Sequence, residues 1–242
     1  MQPPIDVPRR LLAGSEIAMR NRLTVVKGYN QLLERLTSQP EVDLTRVVAY
    51  CTTLTQEVAL FEGLLEQYFA AARLQWDTTA IDWHAVDLGR LTQQVVTRFA
   101  ASSPPRGGRS LHLETRDEIH GIWDYHWLGE AVAALISNAL TYSPEGSEVQ
   151  LIVRRQNDHA LLVVSDTGQG VGQEEEEQIF EPFERGAAAR QQGARGWGLG
   201  LFIASQAVVA HGGWLEIESE PGIGSQFSLH VPLLPPAAPL PA

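Results

Sequence analysis

The chain has a single cysteine, Cys51, among 242 residues, which excludes an internal disulfide framework and a cysteine-ligated zinc site. No apolar run approaches the roughly 20 residues needed to span a bilayer. The start, Met1-Gln2-Pro3-Pro4, lacks the basic-then-apolar layout of a secretory leader. Positive charge is also scarce: 18 Lys and Arg against 29 Asp and Glu give a net charge of −11. That balance argues against nucleic acid or an anionic membrane surface as the main partner. These absences make the cytoplasm the expected compartment, with no membrane span. Histidine is missing from the early chain as well, since none precedes His84. What is present, 44% hydrophobic and 19% charged residues, is an ordinary globular composition sufficient for one or two cores.

Residues from about 8 to 76 read as two long helices. In the second, Val47, Cys51, Leu54, Val58, Phe61, Leu65, Tyr68 and Ala72 alternate steps of four and three, a heptad seam. Cys51 on that seam is expected to be a small core hydrophobe. The first helix carries Leu12, Ser15, Met19, Arg22, Val26, Tyr29, Leu33 and Leu36 at the same steps, with Leu11, Ala18, Val25 and Leu32 widening the stripe. Pro40 forbids one continuous rod, and Asp43 is placed to cap the second helix. Two helices cannot bury so wide a seam alone, so a homodimeric four-helix bundle is expected.

From about Ile81 the texture changes. An amphipathic helix follows Asp87-Leu88 through Leu91, Val95, Val96 and Phe99, and a loop spans Ser102 to Gly108. Strands are expected at Leu111–Glu114, Gly121–Trp123, Val149–Val153, Leu161–Val164, Trp214–Glu218 and Gln226–Val231. An apolar helix covers 127–140. The interleaving implies an α+β fold, an N-terminal two-helix hairpin followed by an α/β sandwich with helices on one face of a mixed sheet. The expected domains are 1–78, 79–234 and a proline-rich tail, 235–242.

Asp166 ends the apolar run Leu161-Leu162-Val163-Val164, so its carboxylate sits at a strand end, where it can accept from an amino group such as that of adenine. Gly168 and Gly170 let the backbone turn sharply and approach a planar base. Gly196, Gly198 and Gly200 open the helix Leu201-Phe202-Ile203-Ala204, whose free N–H groups and positive dipole end suit phosphate. Asn138 offers a neutral oxygen suited to Mg²⁺. Singly, these features also describe a hairpin turn, a glycine loop and a helix cap.

Together, Ala133 to Pro144 around Asn138, Asp166-Thr167-Gly168-Gln169-Gly170, Phe180-Glu181-Pro182-Phe183 and Gly196-Trp197-Gly198-Leu199-Gly200-Leu201 resemble the N, G1, F and G2 boxes of sensor histidine kinases. Gly222-Ile223-Gly224-Ser225-Gln226-Phe227 is similar to the last glycine box. Arg20-Asn21-Arg22-Leu23-Thr24-Val25-Val26-Lys27-Gly28-Tyr29 looks like the second half of the H box. The resemblance implies a degenerate HisKA-like dimerisation hairpin and a GHKL, or HATPase_c, domain binding ATP and Mg²⁺. It further implies Asp166 as adenine acceptor, Asn138 as Mg²⁺ ligand, and Gly168 and Gly170 as the adenine turn. Gly196, Gly198, Leu199, Gly200 and Leu201 are implied on the phosphate side, with Tyr142 and Ser225 completing the nucleotide site and residues 171–195 as the ATP lid.

The same alignment of boxes puts Ile17 at the phosphoacceptor histidine and Ala18 at the adjacent acid. Isoleucine has no nucleophile and alanine no base. Arg22 replaces a kink-forming proline, Ala134 a polar residue, Thr141 a lysine and Ser225 a threonine. The expectation is therefore a dimeric histidine-kinase-like protein that binds Mg-ATP without autophosphorylating on the usual residue. It would act in trans on a partner histidine kinase, within two-component signalling alongside a response regulator, or as an ATP-gated switch. The alternatives are a serine/threonine kinase of the anti-sigma type and a non-enzymatic scaffold or phosphotransfer-type adaptor.

Overall fold

A computed structural model describes residues 7–76, 81–102, 108–186 and 196–235. The proline-rich tail beyond residue 235, the junction expected between 78 and 79, and the last part of the segment expected as a lid lie outside those residues. The chain divides into two compact units, Met1–Ala72 and Arg73–Ala242.

In the first unit, α1 (Val7–Thr37) and α2 (Leu44–Trp76) are separated by a turn containing Pro40, as the sequence requires. Asp43 opens α2: its carboxylate accepts from the Arg46 N–H at 3.1 Å and its carbonyl from Val47 at 3.1 Å. Between the helices, Arg22 pairs with Glu57 and the Tyr29 and Tyr50 rings meet edge-on at 5.6 Å. On α1, Ser15, Met19, Arg22, Val26, Tyr29, Leu33 and Leu36 are all at least partly covered, following the expected seam. Leu12, Ile17, Leu23, Val25 and Leu32 remain exposed, as do Val48, Val58 and Phe69 on α2. Cys51 departs from expectation: it is exposed within the single hairpin and belongs to no core there.

The second unit is built on a five-stranded mixed sheet in the order β2-β4-β5-β7-β6. Its strands are β2 (Ser110–Thr115), β4 (Glu148–Gln156), β5 (His159–Asp166), β6 (Trp214–Glu220) and β7 (Gly224–Pro232). Only β2 and β4 run parallel; the other pairs are antiparallel. A separate ladder joins β1 (His84–Asp87), which the sequence did not signal, to β3 (His120–Trp123). Helices α3 (Leu88–Ser102), α4 (Tyr125–Tyr142) and α5 (Gly200–Ala210) complete the unit. The α+β reading of hairpin followed by sandwich holds.

The core explains why these segments fold as they do. On β4 the alternation puts Val149, Leu151 and Val153 inside, while β5 is buried along almost its whole length. Trp127, Leu128, Ala131, Val132, Leu135, Ile136 and Ala139 line the inward face of α4, spaced for a helix. Phe227 is fully buried and meets Phe180 edge-on at 6.3 Å.

One buried polar node pins the start of α4 and the end of α5, the helices that carry the asparagine and glycine motifs. Asp124 caps α4, its Oδ1 accepting from His126 and Trp127 at 2.8 and 3.0 Å and its Oδ2 from Asp82 at 2.8 Å. Fully buried His211, just after α5, accepts the Asp124 N–H on Nε2 at 2.9 Å and reaches the Ala207 carbonyl through Nδ1 at 2.7 Å. That pattern requires the neutral tautomer carrying hydrogen on Nδ1. Burial accordingly pushes the His211 pKa down, against the opposing pull of the Ala207 carbonyl and Asp124. The other histidines are structural or surface residues: His230 is buried against Trp214, and His84, His112, His120 and His126 are exposed.

Truncating Phe227 to Ala should cost about 3–5 kcal/mol, read by chemical denaturation. His211 binds protons more weakly folded than unfolded, so its contribution is lost as pH falls below the ordinary histidine range, about 6.5. His211→Gln should be less stable than the parent at pH 7.5 and should lose less on acidification to pH 5.5, checked by thermal melts.

Candidate functional site

The site grows from the end of β5. Asp166 lies opposite Ser225 of β7 and is only 8% exposed. Its Oδ1 accepts the Gly168 N–H at 2.8 Å, which closes a tight turn. Burial raises the Asp166 pKa, and the backbone N–H groups of Gly168 and Ser225 pull against that rise without cancelling it. A desolvated carboxylate held by backbone donors is a strong acceptor waiting for a further donor.

Around that carboxylate the backbone is packed too closely for side chains. A Cβ on Gly168 would sit 2.6 Å from the Tyr142 carbonyl oxygen, and one on Gly170 (φ +66°) 2.1 Å from that of Glu220. Gly224, at φ +148°, would place a Cβ 2.1 Å from the Asp166 carbonyl oxygen. The turn is further tied by Gly222 N–H to the Gln169 carbonyl at 2.8 Å. Ser219 Oγ accepts from the Val171 N–H at 2.8 Å and lies 3.0 Å from Ser225 Oγ. So the end of α4 with Tyr142, the Asp166 turn and the β6–β7 hairpin with Ser225 form one wall.

A second wall lies at the start of α5. A Cβ added to Gly200, its first residue, would lie 3.8 Å from the Ala134 side chain, an ordinary separation, and Ala134 is one turn before Asn138. Leu199, buried, stands at the cap position and makes no side-chain capping bond. The N–H groups of the first turn of α5, Leu201 included, therefore have no side-chain acceptor from that cap, the arrangement that suits an anion. Gly198 (φ +70°) cannot carry a side chain, since its Cβ would come 2.6 Å from the Glu184 carbonyl oxygen. Its own carbonyl accepts from the Phe183 N–H at 2.9 Å, and Phe183 itself adopts a left-handed φ of +66°. Gly196 has φ +141° and open space around it. The F and G2 motifs are thereby joined at the base of the loop.

The expected residues of the second unit thus fall into two groups: Tyr142, Asp166, Gly168, Gly170 and Ser225 at the end of α4, and Gly196 to Leu201 at the start of α5, where Gly200 lies near Ala134, one helical turn before Asn138. Asn138 itself is half-buried on the last turns of α4. Ile17 and Ala18 lie in the other unit, on α1, with Ile17 64% exposed. Sequence reasoning passed over Ser219, Glu220 and the left-handed Phe183. Their roles are backbone and hydroxyl contacts that no motif spacing signals.

The residues present fit a purine nucleotide in two respects: a buried acceptor for an exocyclic amino group and an uncapped helix start for phosphate. Among the described residues no cluster of three or more His, Cys, Asp or Glu could hold a metal alone. A divalent ion at Asn138 would accordingly draw most of its ligands from phosphate and water.

Comparison with known proteins agrees. The family model described as histidine kinase-, DNA gyrase B- and HSP90-like ATPase matches residues 123–235. The sensor-like histidine kinase SenX3 of Mycolicibacterium smegmatis is 28% identical over 212 residues, 88% of this chain and 55% of that protein. The sensor protein DivL of Caulobacter vibrioides is 33% identical over 215 residues, 88% of this chain and 26% of its own length. The chain therefore spans between about a quarter and just over half of these relatives. The histidine kinase AdeS of Acinetobacter baumannii shares the fold, with a TM-score of 0.70 at 18% identity over 89% of this chain and 97% of that one. Among the described residues no helix is long and apolar enough to cross a membrane. The chain carries a HATPase_c domain and is a homologue of the sensor histidine kinases over most of its length.

Proposed function

We propose that this protein binds Mg-ATP in its second unit and does not phosphorylate itself at the H-box position of α1. The observation that carries the nucleotide half is the Asp166 turn, a desolvated carboxylate flanked by Gly168, Gly170 and Gly224, where the backbone leaves no room for side chains. Asp166 accepts the adenine amino group. Guanine presents a carbonyl at the same edge and is repelled, so the site selects ATP over GTP. Tyr142 and Ser225 flank the base. Gly196, Gly198, Leu199, Gly200 and Leu201 receive the phosphates at the start of α5, and Asn138 supplies one oxygen to Mg²⁺. When bound, Mg²⁺ supplies charge neutralisation for the phosphates.

The second half rests on Ile17, an exposed hydrocarbon on α1 where the resemblance places the phosphoacceptor. With Ala18 beside it, this position offers neither nucleophile nor base. ATP bound here serves phosphorylation of a residue on another chain or acts as a conformational ligand. The exposed Leu12, Val25, Leu32, Val48, Val58 and Phe69 are the apolar surface a second copy would cover, which supports a homodimeric four-helix bundle. A response regulator is the natural third partner. The ThkA histidine kinase, solved with the response regulator TrrA, shares this fold over 92% of this chain at a TM-score of 0.67 and 18% identity.

Asp166→Asn should abolish Mg²⁺-dependent binding of a fluorescent ATP analogue. The Asp166 pKa is raised by folding, so the ionised carboxylate costs the folded state stability above its ordinary range. The same substitution removes that charge along with binding, and a variant that still binds contradicts the assignment. Incubation of the parent with labelled ATP should leave no acid-labile, base-stable phosphate on the chain. Ile17→His combined with Ala18→Glu should create that label, located by peptide mapping to residue 17.

A further inference from the structure

Helix α4 ends at the nucleotide site with no basic residue in its last turn. The negative end of its dipole, carried by its terminal carbonyls, therefore lies beside the Asp166 turn, at the adenine end of the proposed site. The Ala139 carbonyl is taken twice, by the Ser143 N–H at 3.0 Å and by Ser143 Oγ at 2.6 Å. The Tyr142 carbonyl faces Gly168, beside the Asp166 carboxylate. The carbonyl of the cap residue, buried Ser143, accepts from the Arg109 Nε–H at 2.9 Å. Arg109 belongs to the segment leading into β2, 34 residues earlier in the chain, and stands outside every motif discussed above.

We propose that Arg109 is a positioning residue for the nucleotide, supplying from the segment before β2 the cation that the C-terminus of α4 lacks. This inference rests on the Mg-ATP reading above. Its guanidinium holds the last turn, and with it Tyr142 and Asn138, against the Asp166 turn. Its charge offsets the negative helix end, which would otherwise oppose a polyanion in a chain of net charge −11. The side chain need not touch the ligand to do this.

The test separates charge from hydrogen bonding. Arg109→Gln keeps a donor for the Ser143 carbonyl and removes the charge. Arg109→Lys keeps the charge. Thr141→Lys adds a cation to the exposed last turn of α4 itself. With a fluorescent ATP analogue and Mg²⁺ at low salt, Arg109→Gln should weaken binding by roughly two- to fivefold, the range of a charge at a helix end. Arg109→Lys should bind like the parent. Thr141→Lys should strengthen binding more in the Arg109→Gln background than in the parent, and the gap between parent and Arg109→Gln should close as salt is raised. Parental affinity in Arg109→Gln overturns the proposal. So does a loss that neither Thr141→Lys nor salt alters, which would make Arg109 a purely structural brace. Failure of the parent itself to bind the analogue would bring down the nucleotide reading, and this inference with it.

Discussion

Backbone crowding at the end of β5 is the constraint on which the rest of the second unit depends. Gly168, Gly170 and Gly224 each stand where a Cβ would come within 2.6 Å of a carbonyl oxygen, from Tyr142, Glu220 and Asp166 respectively. Those three approaches join the end of α4, the Asp166 turn and the β6–β7 hairpin with no intervening side chains. A methyl group at any one of them would force the elements apart by more than a flexible side chain can absorb, because the opposing atoms are backbone. The same closeness desolvates Asp166 and raises its pKa. The fold thus maintains a buried carboxylate at a cost to its own stability, which makes sense where a ligand donor compensates.

The scaffold around that point is arranged so that two antiparallel helices reach it with opposite polarity. Asp124 caps the start of α4 and His211 follows the end of α5, and the bond between them ties together the helix ends remote from the site. The site ends are the last turn of α4 and the uncapped first turn of α5. One helix therefore brings a negative end and the other a positive end toward the nucleotide position. The positive end suits phosphate directly. The negative end requires compensation, which is the physical reason a residue such as Arg109, distant in sequence, acquires importance.

Much of this was legible in the residues. The alternation on β4, the unbroken apolar run of β5 and the helical spacing of Trp127 to Ala139 encode the sandwich by periodicity alone, because burial on one face leaves a period that survives in sequence. The glycine motifs and Asp166 were legible because only glycine tolerates the approaches that the turn demands. What stayed hidden were contacts whose chemistry is not tied to a spacing. The strand His84–Asp87 is four residues long, with two of them exposed, and carries almost no pattern. Arg109 acts through one guanidinium on one carbonyl, and Ser219 through one hydroxyl shared among three groups. Cys51 misled for a different reason. Its heptad position is apolar in pattern, but a single pair of helices has only one mutual face and leaves it exposed.

The two units also differ in how strictly their chemistry is constrained. In the second, the groups suited to a nucleotide are held by steric necessity, so substitution there costs folding as well as binding. On α1, position 17 is 64% exposed and no packing requirement selects its side chain. Histidine there would be as acceptable to the helix as isoleucine, since both are mid-range helix formers. An exposed isoleucine has no stabilising reason to be retained on a solvated helix face and gains one only if something apolar covers it. On the reading proposed above, α1 uses this face to make contact and not to accept phosphate, whereas the Asp166 turn keeps the geometry its backbone enforces.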